Sequence, residues 1–321
     1  MGDARYTYGT NIDKLVSVEL TLHGYHSNQE YSVKEDLYEA ARDEQGAPLT
    51  LAAARDLEDS VEPGDTVLIT TGAGRPPHLP NGESDGPLGA VGLARGLALS
   101  LGARPWLLTE DERTKYDFDP LRAAARVCGL NVLPTEQLQE RSNATALVRY
   151  PPADDRSEAE LADEFIAEHD PAAVIAIEKL GPNPEGVVHS ASGKAHEEDT
   201  RIATLVERAT SKEIPTIGIG DNGNEIGFGK IEAAVRETHP HGDVCQCPCE
   251  GGLVSRTATD HLIVGSTSNW GAYGIQAMLA IITDTPDAMH SPDEEIRMLE
   301  SAVQEGCGDG IYGRPLMTVD G

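Results

Sequence analysis

A chain of 321 residues that is 39% hydrophobic is long enough to bury a large α/β core and too apolar to remain disordered. Its 54 Asp and Glu against 25 Lys and Arg give a formal net charge of -29, which repels nucleic acid and anionic membranes and removes both as expected partners. No apolar run approaches the ~18 residues of a membrane span, and "MGDARYTYGTNIDK" lacks the apolar stretch of a signal peptide, so a cytoplasmic location is expected.

The acids are spread along the chain, and the bases are biased to Arg, with seven Lys against 18 Arg. A dispersed acidic surface suits a cytoplasm at molar salt, where the screening length falls to ~3 Å. Such a halophilic setting also leaves an anionic substrate possible, because the same salt screens its repulsion.

In chain order, residues 1–60 carry the helical patterns "VKEDLYEAARDE" and "LTLAAARDLEDSV" with little strand signal. They are expected to form a helical lead-in packed on the main domain. From 61 to 321, apolar β-rich runs alternate with helical patterns. The strand candidates are "TVLITTG" (66–72), "RPWLLT" (104–109), "ATALVRY" (144–150), "AAVIAIE" (172–178), "PTIGIG" (215–220) and "HLIVGST" (261–267). Between them lie "LGAVGLARGLALSLG", "DPLRAAARVCG", "SEAELADEFIAEH", "EEDTRIATLVERATS" and "NEIGFGKIEAAVRETH". In the fourth, Ile202, Leu205, Val206 and Ala209 recur at helical spacing. The alternation predicts a Rossmann-like α/β fold, a mostly parallel twisted sheet with helices on both faces. "PPADDRSE" (151–158) is the best internal linker candidate, and one domain with two lobes is the preferred division.

Three of these strands end in Gly-rich polar turns: "LITTGAGRPPHLPNGESDGPLGA", "IGIGDNGNEIGFGK" and "LIVGSTSNWGAYG". In open α/β sheets, ligands bind outside the carboxyl ends of the strands, where helix N-termini supply N–H donors. In the second turn Gly218, Gly220 and Gly223 fit G-x-G-x-x-G, but Asp221 would face a pyrophosphate, and no nucleotide cofactor is expected. The plainer reading makes Asp221 and Asn222 turn and cap residues, with Glu225 in a first helical turn. Asp85 and Asn269 are equally natural helix caps, Glu83 a solvated acid and Trp270 a packing residue. Glu178 closes the strand "AAVIAIE".

Five cysteines, an odd number, are expected to be reduced. "CQCPC" places Cys245, Cys247 and Cys249 near His239, His241 and Asp243. Three thiols and two imidazoles suggest zinc, yet the usual two separated C-x2–4-C pairs are missing. His241 and Asp243 are better taken with the second turn, as groups that bind metal or handle protons, or as a plain surface turn.

"ESDGPLGAVGLARGL", "AIEKLG", "GIGDNGNEIGFGKI", "HGDV" and "STSNWGAYG", in this order, resemble the D-glutamate cyclase family over about residues 60 to 320. The resemblance implies a cyclase-like catalytic domain over 61–321 and a hydro-lyase that converts D-glutamate to 5-oxo-D-proline and water. Carried over by position, the matching residues are Glu83, Asp85 and Gly86, then Asp221, Gly223, Asn224, Glu225, Gly227 and Lys230. His241, Gly242 and Asp243 follow, then Ser268, Asn269, Trp270 and Gly271. The triple cysteine is outside that pattern, and the sequence stops at "TVDG" where relatives continue.

The chemistry then assigns expected roles. Asp221, Glu225, His241 and Asp243 are the catalytic candidates. Glu83, Asp85, Gly86, Glu178, Asn224, Lys230, Ser268, Asn269 and Trp270 are the substrate-binding candidates, with Lys179 a further cation for a substrate carboxylate. Asp221, Glu225 and Asp243 would hold Mg²⁺ or Mn²⁺ if a metal serves, since oxygen ligands suit hard ions. The expected partner is a small amino-acid substrate, and the sequence does not set the oligomeric state. The alternatives are a non-catalytic amino-acid or nucleotide-binding protein, or a hydro-lyase for a related acid.

Overall fold

The computed structural model describes residues 4–19, 33–72, 79, 81–110, 118–152, 154–196 and 201–308. Within them the apolar runs form a seven-stranded sheet: β1 (Thr66–Thr71), β2 (Arg104–Thr109), β3 (Asn131–Val132), β4 (Ala144–Arg149), β5 (Ala173–Ile177), β6 (Thr216–Gly220) and β7 (His261–Val264). Every pairing is parallel, and the order is β3-β4-β2-β1-β5-β6-β7. The expected parallel α/β sheet is therefore present, with β3 added at one edge. A two-residue strand is too short to leave a periodic signal.

Ten helices surround the sheet among the described residues: α1 (Ala4–Val16), α2 (Lys34–Gln45), α3 (Leu49–Ser60), α4 (Pro87–Ser100), α5 (Phe118–Val127), α6 (Glu158–His169), α7 (Arg201–Ser211), α8 (Glu232–Thr238), α9 (Ser268–Ile282) and α10 (Pro292–Gln304). Side chains alternate across a strand, so each strand feeds two cores. Val67, Ile69, Leu107, Ile175, Ile217 and Ile219 pack with Leu57, Leu93, Leu97, Ile275 and Leu279 of α3, α4 and α9. Leu68, Trp106, Leu108, Val174 and Ala176 pack with Leu161, Phe165, Ile202 and Val206 of α6 and α7. Helices thus cover both faces, as the alternation predicted. The segment 151–158 leads from β4 into α6, whose start is a capping box built on Ser157 and Glu160.

Helices α1 and α3 pack against α9, and α2 packs against β7 and α8. α3 begins after Pro48, which carries no side-chain cap, and the buried Asp13 of α1 accepts the amides of Leu49 and Thr50 in its place. α2 and α3 contribute Leu37, Leu51 and Leu57 to the same core as the sheet.

One predicted element differs. The helix expected from Asn224 onward begins only at Glu232, after a short 3-10 turn at Gly229–Ile231. Gly223 and Gly227 take φ of 102° and 111°, outside any helix, and residues 225 and 227 bridge Leu180 and Ala258. Glu225 therefore sits in an extended connection rather than in a first helical turn. Part of "EEDTRIATLVERATS", residues 197–200, lies outside the described residues. No helix among the described residues is long and apolar enough to cross a membrane.

Candidate active site

Strand order reverses between β1 and β5, so the connections leaving their carboxyl ends diverge and open a crevice. The β1 connection carries Glu83, Asp85 and Gly86, β5 ends at Glu178, β6 ends in the Asp221 turn, and β7 leads into α9. The three turns singled out in the sequence therefore meet at one edge of the sheet.

The first and third turns are tied by reciprocal capping. The Asp85 carboxylate accepts the amides of Ser268 at 3.0 Å and Asn269 at 2.8 Å, the first residues of α9. The Asn269 side chain accepts the amides of Gly86 at 2.9 Å and Gly89 at 2.7 Å, at the start of α4, and donates to the Ser84 carbonyl. Each residue is a cap, but of the other's helix. These amides at the starts of α4 and α9 are thus taken by the protein's own side chains.

The second turn also satisfies itself. The Glu225 carboxylate accepts the amides of Asp221 (3.2 Å), Asn222 (3.1 Å) and Gly223 (2.8 Å). These are the successive N–H groups that would hold a phosphate in a dinucleotide-binding turn. The G-x-G-x-x-G spacing builds the nest, and an internal carboxylate fills it.

Glu178, Asp221 and Glu225 converge, with one oxygen of each lying within 4.8 Å of the others. Glu225 is fully buried and Glu178 is 9% exposed. Glu178 takes a φ of 50°, a left-handed conformation uncommon for a non-glycine residue and the kind of local strain that gathers at working sites. The Ser268 hydroxyl donates to its Oε2. Lys34, from α2, places its ammonium 3.0 Å from Asp221 Oδ2 and donates to the Asp221 carbonyl and to Asn222 Oδ1.

Crowded, desolvated carboxyls hold their protons. Burial, then the charges of Asp221, Asp85, Glu225 and Glu83, raise Glu178 well above the usual carboxylate range. Burial, then the Asp221 charge, push Glu225 up to about 8, although the turn amides and Lys34 pull it down. Burial and the same Asp221 charge raise Asp85 to about 6.

A raised carboxyl makes the folded state bind more protons than the unfolded chain between the two pKa values, so stability should fall as pH rises through that interval. For Glu225 the interval runs from its ordinary 4.5 to about 8. Urea midpoints measured from pH 5 to 8 in molar KCl, without divalent ions, should fall more steeply for the wild type than for Glu225→Gln. Equal slopes would show that Glu225 does not hold its proton.

The same donor set suits a hard cation. Three carboxylates converge on one point, oxygen is the only ligand type, and a divalent charge would relieve the mutual repulsion that holds the protons on. Glu178, Asp221 and Glu225 are therefore residues that could hold a hard divalent cation.

Other sequence-predicted residues lie elsewhere. Asp243 is largely exposed and faces Arg236 at 3.7 Å, outside the carboxylate cluster. His241 Nε2 meets the Gln246 amide at 3.1 Å. Lys230 reaches the Thr259 carbonyl, and Lys179 is buried against Glu110 at 2.6 Å. Trp270 is 38% exposed on α9. The buried Asn224 donates to the His189 carbonyl at 2.8 Å, behind the turn. Glu83 contributes its charge to Glu178, and its backbone bridges Gly308.

Nothing in the sequence singles out Lys34, which reaches the turn from the lead-in. His239 stands out there only beside the thiols. Its imidazole is held down to about 4, first by burial, then by His241 and Lys34, with the Asp221 charge opposing, which places it by the same turn.

A family model described as "D-glutamate cyclase-like, C-terminal" matches residues 12–321. The chain is also 27% identical over 302 residues to "D-glutamate cyclase, mitochondrial" of Homo sapiens. That alignment takes in 80% of this chain and 43% of the human protein, so the chain spans less than half the length of this curated relative.

Proposed function

Because the chain belongs to the D-glutamate cyclase-like C-terminal family, we propose that it is a hydro-lyase that closes D-glutamate to 5-oxo-D-proline with loss of water. The observation that carries this reading is the meeting of the buried Glu178 and Glu225 with the half-buried Asp221 at the strand-order reversal.

Ring closure joins the substrate's own amine to its γ-carboxyl carbon. Both reacting groups belong to one molecule, so holding a folded conformer removes much of the barrier. The proton account is closed: the ammonium loses two protons as the N–C bond forms, and both leave with a γ-carboxylate oxygen as water. The enzyme needs a relay that accepts a proton on one side and returns one on the other. A carboxyl cluster sharing fewer protons than it has groups is such a relay.

In this reading Asp221, aligned by Lys34, accepts the ammonium proton. Glu178, held protonated by its surroundings and oriented by the Ser268 hydroxyl, donates to the departing oxygen. Glu225 fixes the turn by accepting its amides, and burial and then the neighbouring Asp221 charge raise its pKa. A hard divalent ion held by the same three acids would displace the Glu178 proton, and would then polarise the γ-carboxylate in place of that acid.

The test is direct. The purified protein in molar KCl is given D- or L-glutamate, with and without added Mn²⁺ or Mg²⁺, and 5-oxoproline is followed by NMR and chiral chromatography. Product from the D-enantiomer alone is expected. Thermal stabilisation by D-glutamate without turnover under every condition would make this a binding protein, and product from both enantiomers would remove the stereochemical assignment.

A further inference from the structure

The three cysteines that stood apart from the family pattern acquire a fourth partner in the fold. His189, 56 residues before Cys245 in the sequence, is buried against them. Its Nε2 lies 3.3 Å from Cys247 Sγ and 3.6 Å from Cys249 Sγ. The sulfurs are mutually 3.5 Å (Cys245–Cys247), 3.4 Å (Cys245–Cys249) and 3.2 Å (Cys247–Cys249) apart. All four ligand atoms fall within 4.8 Å of one another.

We propose that His189, Cys245, Cys247 and Cys249 form a structural zinc site that staples the segment 182–196 to the turn 245–249. Five of the six spacings lie between 3.2 and 3.6 Å and the sixth within 4.8 Å, near those of a small tetrahedron. Four ligands about a zinc with Zn–S of ~2.3 Å stand about 3.8 Å apart, slightly wider than the arrangement seen. A disulfide needs ~2.05 Å between two sulfurs and would single out one pair, whereas here no pair is singled out. Soft thiolates with one imidazole select zinc over the hard ions that suit the carboxylate cluster. Four protein ligands fill a tetrahedron and leave no position for a substrate, which makes the role structural.

The surroundings are organised as an outer shell. Asn183 Nδ2 lies 3.5 Å from Cys249 Sγ and donates to the Gly252 carbonyl at 2.8 Å. The Asn183 side-chain oxygen accepts the amides of Glu185 and Val187, which turns the chain toward His189. The Gln246 backbone amide donates to the Gly193 carbonyl at 2.7 Å, joining the two segments between the ligands. Outer-shell contacts of this kind orient metal ligands.

The staple lies behind the acid-bearing turn. Asn224, next to Glu225, donates from its side chain to the His189 carbonyl, and its own carbonyl accepts the Gly181 amide. Ile226 donates to the Lys179 carbonyl. Metal at the thiols would therefore brace the turn that carries Asp221 and Glu225. The site itself does not depend on which reaction those acids perform.

Metal analysis of the untagged protein, purified under reducing conditions with zinc in the medium, tests the proposal. About one zinc per chain is expected. Cys247→Ser and His189→Ala should lose it and melt at lower temperature, whereas Cys128→Ala should retain it. If the ligand variants fail to fold, cobalt titration of the reduced wild-type protein replaces them. Thiolate-to-cobalt charge-transfer bands with tetrahedral d–d bands are expected. A chain free of stoichiometric metal, iron in place of zinc, or a disulfide among the three cysteines in peptide maps would overturn the assignment.

Discussion

Glu178→Gln is expected to lower kcat for D-glutamate closure by about 10²- to 10⁴-fold, the usual share of a positioned proton-transfer group. The substitution keeps size and shape, and the amide oxygen can still accept from Ser268. What it removes is the proton that the surrounding acids hold on the carboxyl. Stability should move the other way. A buried carboxyl that must take up a proton to fold among Asp221, Asp85, Glu225 and Glu83 costs stability at a pH above its unfolded pKa, and a neutral amide carries no such cost. Urea unfolding near pH 8 should therefore show Glu178→Gln at least as stable as the wild type, with KM little changed. A dead but stable variant marks chemistry, whereas a dead and unstable one marks scaffolding. Wild-type kcat would exclude Glu178 from proton transfer.

Gly86→Ala is expected to cost about 2–5 kcal/mol, from backbone strain and overpacking together. Gly86 has a φ of 93° and a ψ of -60°, a conformation that a Cβ opposes. That Cβ would sit 2.7 Å from Thr71 Oγ1 and 2.8 Å from Glu178 Cβ, closer than real contacts. The Gly86 amide also donates to Asp85 and Asn269, so a shift here loosens both reciprocal caps and moves Glu178. Activity should fall along with stability. Gly46→Ala is the control: its φ is 65°, but nothing lies within 4 Å of the added carbon, so only backbone strain remains. Equal urea midpoints for the two variants would show that the approach of Gly86 to Glu178 is not tight.

The fold is largely legible in the sequence because its strands are β-branched runs and its helices carry periodic apolar faces. Val67 and Ile69 against Leu68, and Ile175 against Val174 and Ala176, show a sheet buried on both sides. The helix after Asp221 is misplaced by that reading because Glu225, Ile226 and Phe228 suit a helix, whereas Gly223 and Gly227 take positive φ and hold the segment out of one. At the site, position along the chain is readable and partnership is not. Glu178, Asp221 and Glu225 can each be placed at a strand end or in its turn. That Asp85 caps the helix starting at Ser268, or that Lys34 meets Asp221, depends on contacts across more than 180 residues. His189 escapes notice for the same reason, since ligand spacing in sequence gives no hint of a partner that arrives by way of the fold.

The turn at Asp221–Gly223 is filled before any ligand arrives. A phosphate-binding turn is a receptor, ordered in part by what it captures and open to whatever anion is at hand. Here the capturing amides are engaged from within by Glu225. The turn arrives at its working shape with the chain's own folding, so none of a substrate's affinity is spent on ordering it. Dissolved chloride, sulfate or phosphate finds no vacancy among those amides and cannot act there as a competitor.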